Sequence, residues 1–202
     1  MNNFKWSTES FNDKPINIVL FVSRNKDNKD VPNFVERRKS FITTKDISFN
    51  TSALLQEFIN FTKEGVDGEM SRMYVSVNSR DGQKIHKQLL HFLIDNPDFN
   101  LCSIQSKLAG IAAQKECAKE KKWLFDFDIN NYAKANEFME DIKNIEPNID
   151  MTIYFTPNGY AIVTNRGFDT RKLFEKWTDN VTLKRDAMLC FSWHTNGEEE
   201  ND

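Results

Sequence analysis

A strand-like run at residues 123–129 constrains this chain more than any other stretch, because apolar and acidic residues alternate along it. Side chains on a β-strand point alternately to the two faces of the sheet, so Asp126 and Asp128 share one face, with Cα atoms roughly 6 to 7 Å apart. The opposite face receives the apolar members of the run, Trp123, Phe125, Phe127 and Ile129. Two carboxylates at this separation suit Mg²⁺ or Mn²⁺, which bind oxygen ligands and are usually held by one or two carboxylates. The alternative interpretation is an edge strand with an acidic, solvent-facing surface.

The bulk composition predicts a folded, globular protein. The chain has 202 residues, of which 39% are apolar and 17 are Phe, enough for one substantial core or two small lobes that share one. Its net charge of −3 removes any argument from overall basicity. Nucleic-acid binding would therefore depend on a local basic surface.

We recognise no targeting signal in the sequence and no metal-binding motif built from cysteine or histidine. The apolar run at residues 18–22 is too short to span a bilayer and lacks the basic lead and cleavage site of a signal peptide. The three cysteines and three histidines show no C-x-x-C, H-E-x-x-H or zinc-knuckle spacing. We therefore expect a cytoplasmic protein with reduced thiols and no membrane partner.

Hydrophobic periodicity in residues 1–122 predicts an N-terminal α/β lobe that follows a loosely ordered tail at residues 1–14. Strands are expected at residues 16–23, 40–44 and 72–78. Helices are expected at residues 52–64, at 85–93 before Pro97, and as one longer helix at 104–122.

After the aspartate strand, the pattern predicts a compact α+β unit at residues 123–194 and a disordered acidic tail at 195–202. A helix that ends before Pro147 comes first, followed by a hairpin at residues 151–164 that turns at Pro157-Asn158-Gly159. A short helix at residues 170–177 leads to one last strand at 181–193. Lys184 and Asp186 share the polar face of that strand.

These elements suggest one polar sheet face on which Asp126, Asp128 and Asp186 converge around divalent metal. Basic residues from the same half are available to hold a triphosphate: Arg166, Lys184 and Arg185. Carboxylate-bound metal beside cationic side chains is typical of metal-assisted nucleotidyl or phosphoryl transfer.

Three motifs carry a resemblance to a known family. They are hydrophobic-D-hydrophobic-D at Asp126 and Asp128, the hairpin T-P-N-G-Y-A-I-V-T, and L-K-R-D-A around Asp186. In this order they are similar to the catalytic half of the archaeo-eukaryotic primase superfamily, and most similar to small primase-like proteins of phages. The resemblance covers roughly residues 123–191 and implies an N-terminal α/β lobe plus a C-terminal RRM-like sheet half with helices on one face.

The resemblance also implies site residues and partners. The three aspartates would bind Mg or Mn, Lys184 would lie beside Asp186, and Asn158, Gly159 and Tyr160 would form the nucleotide hairpin. The implied partners are a nucleoside triphosphate, a single-stranded nucleic-acid template and other replication proteins, in the host cytoplasm if the protein is viral. The chain departs from the family at Ala161, where the family usually has a histidine that contacts the nucleotide.

Several functions are compatible with these motifs. A metal-dependent primase or nucleotidyltransferase requires all three aspartates to meet. A non-catalytic nucleic-acid or nucleotide binder that retains the primase-like fold is favoured by Ala161. A protein-interaction module is a third possibility, for which the sequence contains no supporting motif. The D-x-D pattern also occurs in sugar-nucleotide glycosyltransferases, but these would need a larger nucleotide-binding domain before the aspartates.

Overall fold

A computed structural model describes residues 15–44 and 51–197, except the side chains of residues 51 and 52. Two four-stranded sheets, in which all paired strands are antiparallel, are combined with five α-helices in this part of the chain. The predicted α+β fold is confirmed. The expected tail at residues 1–14 and residues 198–202 of the expected acidic tail lie outside the described residues.

The elements follow one another in two series. The first series is β1 (Asn17–Ser23), β2 (Arg37–Thr43), α1 (Thr51–Lys63), β3 (Met70–Ser76), α2 (Gly82–Asp95) and α3 (Ile104–Ala112). The second series is β4 (Trp123–Phe127), α4 (Tyr132–Ile145), β5 (Met151–Thr156), β6 (Gly159–Thr164), α5 (Arg171–Trp177), β7 (Val181–Lys184) and β8 (Met188–Thr195).

The first sheet has the strand order β2-β1-β3-β8 and is covered by helices on parts of both faces. Helix α1 places Phe58 and Phe61 against Phe21 and Met73, because its apolar residues recur at helical spacing. A second cluster joins Ile18 of β1 to α2 and α3. Helix α2 begins at a capping aspartate, Asp81, whose side chain accepts the backbone N–H groups of residues 83 and 84.

The second sheet has the order β5-β6-β4-β7, with α4 and α5 packed on one face. Its chain order, strand-helix-strand-strand-helix-strand, together with this strand order, is the RRM-like arrangement expected from the sequence. The buried face of β4 supplies Phe125 and Phe127, which pack with Phe138 and Ile142 of α4 and Trp177 of α5. The other face of this sheet is left for the cleft described below.

The hairpin between β5 and β6 is as tight as predicted, with Pro157 and Asn158 alone between the strands. Gly159 has a φ of 156°, and a Cβ atom there would lie 2.3 Å from the carbonyl oxygen of Phe127. Glycine is therefore required because the backbone of β4 passes too close for any side chain.

The predicted long helix at residues 104–122 is wrong, since α3 ends at Ala112. A short 3-10 turn at Lys115–Cys117 follows, and Cys117 is fully buried among the residues of α2 and α3. The chain then forms backbone hydrogen bonds with the segment before α2. Asp81 N donates to Cys117 O at 2.8 Å, and Lys119 N donates to Ser79 O at 2.8 Å. These long-range bonds outweigh the helical propensity of the intervening residues.

The predicted single strand at residues 181–193 is also wrong, because it is two strands in different sheets. Strand β7 pairs with β4 in the second sheet, and β8 pairs with β3 in the first. The chain crosses between the sheets at residues 185–187, where Asp186 pairs with Arg80 at 2.9 Å and accepts a bond from Asn78 at 3.3 Å. A boundary at residue 123 therefore does not separate the two sheets, and β8 extends to Thr195, into the expected tail.

The two sheets meet through an apolar contact in which β8 lies on the open face of the second sheet. Leu189 belongs to the same buried cluster as Leu124 of β4 and Ala161 of β6. Among the residues that the structure describes, no helix is both long and apolar enough to cross a membrane.

Removing the carboxylate of Asp186 is expected to destabilise the crossing between the sheets. The Arg80 side chain is 3% exposed and its partner Asp186 is 23% exposed, so Asp186→Ala would leave a buried cation without its counter-charge. Such losses cost about 3 to 5 kcal/mol when both partners are buried, and we expect about 2 to 3 kcal/mol here because Asp186 is partly solvated. Urea unfolding measures the change.

The matched control is Asp30→Ala, which removes an exposed aspartate and should change the free energy of unfolding by less than about 0.5 kcal/mol. Equal stabilities of the two variants would mean that the Arg80–Asp186 pair does not stabilise the crossing.

Candidate functional site

A cleft of about 300 Å³ lies between the two sheets, and its two walls carry opposite charge. The second sheet contributes the acidic wall, which contains Asp126 and Asp128. The first sheet contributes the basic wall, which contains Arg24, Lys26 and Arg72. An acidic wall can hold a cation and a basic wall can hold an anion, so the cleft suits a metal-bound anionic ligand.

The alternation along β4 sets the acidic wall as predicted. Phe125 and Phe127 are fully buried on the helix side, whereas Asp126 points into the cleft from the opposite face. Asp128 follows directly after the strand, is exposed, and lines the same cleft. The cleft thus brings together two of the three predicted aspartates.

The strands beside β4 decide what surrounds Asp126. Its register partners are Ala161 on β6 and Thr182 on β7, and both residues line the cleft. Ala161 is 2% exposed and adds no polar group to this wall. A larger polar side chain at position 161 would therefore stand directly beside the Asp126 carboxylate.

Lys184 on β7 forms an ion pair with Asp126 at the mouth of the cleft. The Lys184 side chain is 47% exposed and that of Asp126 is 27% exposed, so the ammonium group remains in contact with solvent. It can therefore turn toward a bound phosphate without leaving a buried charge. Asn158, at the tip of the hairpin, lines the same cleft.

The basic wall is held by a shared carboxylate. Asp27 accepts bonds from Arg24 Nε at 2.7 Å and from the terminal nitrogen of Arg72 at 2.7 Å. The hydrogen bond to Asp27 is the main cause that raises the pKa of Arg24 above its ordinary value, so this guanidinium is permanently charged. Two arginines on one carboxylate leave a net positive charge, to which Lys26 adds.

Arg72 is the most deeply placed member of this wall. Its side chain is 8% exposed, and its Nε has no hydrogen-bond partner among the described residues. That Nε atom is closed to solvent, so Arg72 contributes its charge to the cleft rather than a free donor.

Sequence reasoning missed this basic wall. The sequence patterns give no role to Arg24 or Lys26, and they place Arg72 at the start of the strand expected at residues 72–78. One signal was present in the sequence, because Arg72 interrupts the apolar alternation of β3. A charged residue is almost never fully buried unless it is paired, so this arginine indicated a charged partner.

The other predicted site residues lie elsewhere. Asp186 is engaged by Arg80, and the described residues contain no group of three or more His, Cys, Asp or Glu side chains positioned to hold a metal. The expectation that three aspartates form one metal site is therefore corrected. Arg166 pairs with Glu146 at 2.9 Å on the exposed surface.

Three further members of the predicted set also lie outside the cleft. Tyr160 is 5% exposed and packs on the helix side of the second sheet, and Gly159 serves the turn. Arg185 lies beside the cleft, in a neighbouring groove, with its guanidinium 5.2 Å from the ring centroid of Trp123.

The donor set still fits one hard divalent ion. Asp126 and Asp128 carry carboxylate oxygens, and Asn158 and Thr182, which line the same cleft, carry neutral side-chain oxygens. Mg²⁺ is usually bound by one or two carboxylates together with waters and substrate phosphates, so two aspartates suffice for a single ion. A second ion would need a ligand from the substrate.

Comparisons with protein-family models, with curated proteins and with solved structures found no match to this chain. The geometry of the cleft is therefore the basis of the function proposed below.

The thiol of Cys190, which lines the cleft, is expected to react slowly. Burial raises its pKa to about 11, and Arg72 opposes this shift only in part. At about pH 8 the thiolate fraction should be roughly a hundredfold below that of an ordinary cysteine. Iodoacetamide labelling followed by peptide mass spectrometry should modify the exposed Cys102 much faster than Cys190.

The same shift gives the sign of the pH dependence. Because the folded-state pKa of Cys190 is raised, its contribution to stability is complete below about pH 8.5 and is lost as the pH rises toward 11. Equal labelling rates for Cys102 and Cys190 at about pH 8 would contradict the burial of the thiol.

Proposed function

We propose that this protein is a primase-like nucleotidyltransferase that binds a nucleoside triphosphate and Mg²⁺ or Mn²⁺ in the cleft between its sheets. The observation that carries the proposal is the pairing of Asp126 and Asp128 on one wall with Arg24, Lys26 and Arg72 on the other. A triphosphate with its bound cation has the complementary charges.

Each wall has a distinct role in this proposal. Asp126 and Asp128 hold the ion, and a bound divalent ion would neutralise charge on the transferring phosphoryl group. Arg24 and Arg72 bind phosphate oxygens, for which the planar guanidinium is suited. Lys184 pairs with Asp126 in the absence of ligand and, because it lines the same cleft, can contact a bound phosphate group.

A non-catalytic nucleotide or nucleic-acid binder is the second candidate, and two observations favour it. The carboxylate of Asp186, which the family resemblance assigns to the metal site, is paired with Arg80. Ala161 stands beside Asp126 where the family usually has a histidine. Both departures weaken catalysis more than they weaken binding, because the remaining groups still hold one ion and one phosphate chain.

The test is de novo synthesis or primer extension with Mn²⁺, in which the natural chain is compared with Ala161→His and Asp126→Asn. A histidine at position 161 should tighten triphosphate binding roughly tenfold to a hundredfold, because it adds one charge-assisted contact of about 1.5 to 3 kcal/mol. Ala161→Leu controls for the added volume at this buried position.

Slow, Mn²⁺-dependent synthesis that rises with Ala161→His and disappears with Asp126→Asn would support the nucleotidyltransferase. If none of these folded proteins synthesises nucleic acid while the natural chain binds triphosphate, the non-catalytic binder is the better conclusion.

A further inference from the structure

We infer that a trough leading out of the cleft, across the first sheet to α3, binds a single strand of nucleic acid. This inference rests on the proposed function, since a template strand must reach the site where the nucleotide is bound. The trough consists of three adjoining cavities of about 300, 500 and 400 Å³, of which the first is the cleft itself.

The three cavities adjoin one another, because they share lining residues. Arg24, Tyr74 and Lys184 line both the cleft and the middle cavity. Leu20 lines both the middle cavity and the one at α3, and Met188 lines all three. One surface therefore runs from Asp126 and Asp128 along the first sheet to α3.

The far end of the trough lies between β2 and α3. Arg38 stands on the strand side, and Ser106, Gly110 and Ala113 form the helix side. These side chains are small, and a Cβ atom built on Gly110 meets no atom within 4 Å. This end is therefore open, with room for a ligand against the helix.

The charges along the trough match a phosphate backbone. Basic side chains line each of the three cavities: Arg38 at the far end, Arg24 and Lys184 in the middle and in the cleft, and Lys26 and Arg72 in the cleft. Arg24 and Arg72 share one carboxylate, Asp27, and Lys184 pairs with Asp126, so a net positive charge remains on the basic wall. Away from the cleft aspartates, the acidic side chain on its lining is Asp186, which is already neutralised by Arg80. A positive groove that tracks a backbone is the usual basis of single-strand binding.

The floor of the trough is suited to bases. Leu20 and Met188 present apolar surface, and Tyr74 presents an aromatic ring between them and the cleft. Burial is the main cause that raises the pKa of Tyr74, so the phenol is uncharged and does not repel phosphate. Aromatic and apolar surface beside basic groups binds unpaired bases largely without regard to sequence.

The experiment measures binding of a fluorescent oligothymidylate of about twelve nucleotides, the upper part of the usual site-size range, by anisotropy without nucleotide. The decisive variant is Gly110→Glu, which places a negative side chain in the open space at the far end. Glutamate also favours a helix over glycine, so folding is preserved. Gln105→Glu is the matched control, since it adds the same charge to an exposed position of α3 that does not line the trough.

We expect Gly110→Glu to weaken strand binding at least about tenfold, while Gln105→Glu binds like the natural chain. Arg38→Ala should lower the slope of log affinity against log salt by about one. Equal weakening by the two glutamate variants, or no strand binding by the natural chain, would overturn the inference.

Mn²⁺ and triphosphate binding, measured by equilibrium dialysis on the same proteins, separates the two proposals. Both ligands should bind Gly110→Glu as they bind the natural chain, because position 110 lies outside the cleft. Loss of strand binding with intact metal and triphosphate binding supports the trough. If the natural chain binds Mn²⁺ and triphosphate but no single strand, only the inference about the trough is refuted. If the natural chain does not bind Mn²⁺, the proposed function is refuted.

Discussion

Replacing Phe125 by alanine is expected to lower the free energy of unfolding by about 3 to 5 kcal/mol. The ring is fully buried at the centre of the second sheet, where its centroid lies 5.4 Å from that of Phe138 and 5.9 Å from that of Phe168. Truncation removes these contacts and leaves a cavity that the strands and helices around it can only partly fill. Chemical denaturation followed by far-UV circular dichroism measures the loss.

Phe155→Ala is the matched control for this variant. Phe155 is on the edge strand of the same sheet but is 70% exposed, so its truncation should change stability by less than about 0.5 kcal/mol. If Phe125→Ala instead kept the natural melting temperature and lost only nucleic-acid binding, Phe125 would be a stacking surface and the core assignment would be wrong.

Asp126→Asn is expected to weaken Mn²⁺ binding by at least about a hundredfold and to abolish any metal-dependent synthesis. The substitution keeps the shape of the side chain but removes one of the two carboxylates that the cleft offers to a cation. It also releases Lys184 from its ion pair, which leaves an extra positive charge beside the metal position. Both effects act in the same direction on cation affinity.

Stability should change little in Asp126→Asn, because both members of its ion pair are partly exposed. Asp179→Asn, which removes a carboxylate from an exposed turn, controls for the change in net charge. Tight Mn²⁺ binding by Asp126→Asn would show that the metal is held elsewhere, and the role proposed for the cleft would then be abandoned.

Together these variants separate the two faces of β4. One face supplies packing energy through Phe125 and Phe127, and the other supplies Asp126 to the cleft. A strand whose faces carry different tasks can be tested one residue at a time, because neighbouring side chains point in opposite directions.

The features that follow from local pattern were predictable from the sequence. The alternation at residues 123–127 assigned Phe125 and Phe127 to the core and Asp126 to the opposite face, and the structure agrees. Helix α4 and the hairpin at Pro157 and Asn158 also match their predicted positions. Such features depend on side chains within a few residues of each other, so a linear pattern contains the information they need.

Other features depend on residues far apart in the sequence, and they are visible only in the folded structure. The break at residues 185–187 follows from the pairing of Asp186 with Arg80, a contact across 106 positions. The basic wall requires β1 and β3 to face β4, and its arginines are held by Asp27, 45 positions from Arg72. The linear pattern identified the core residues of β4 and the acidic side chain on its opposite face. Which charges meet across the cleft was decided by the packing of one sheet on the other, because no local periodicity records the partner of a distant strand.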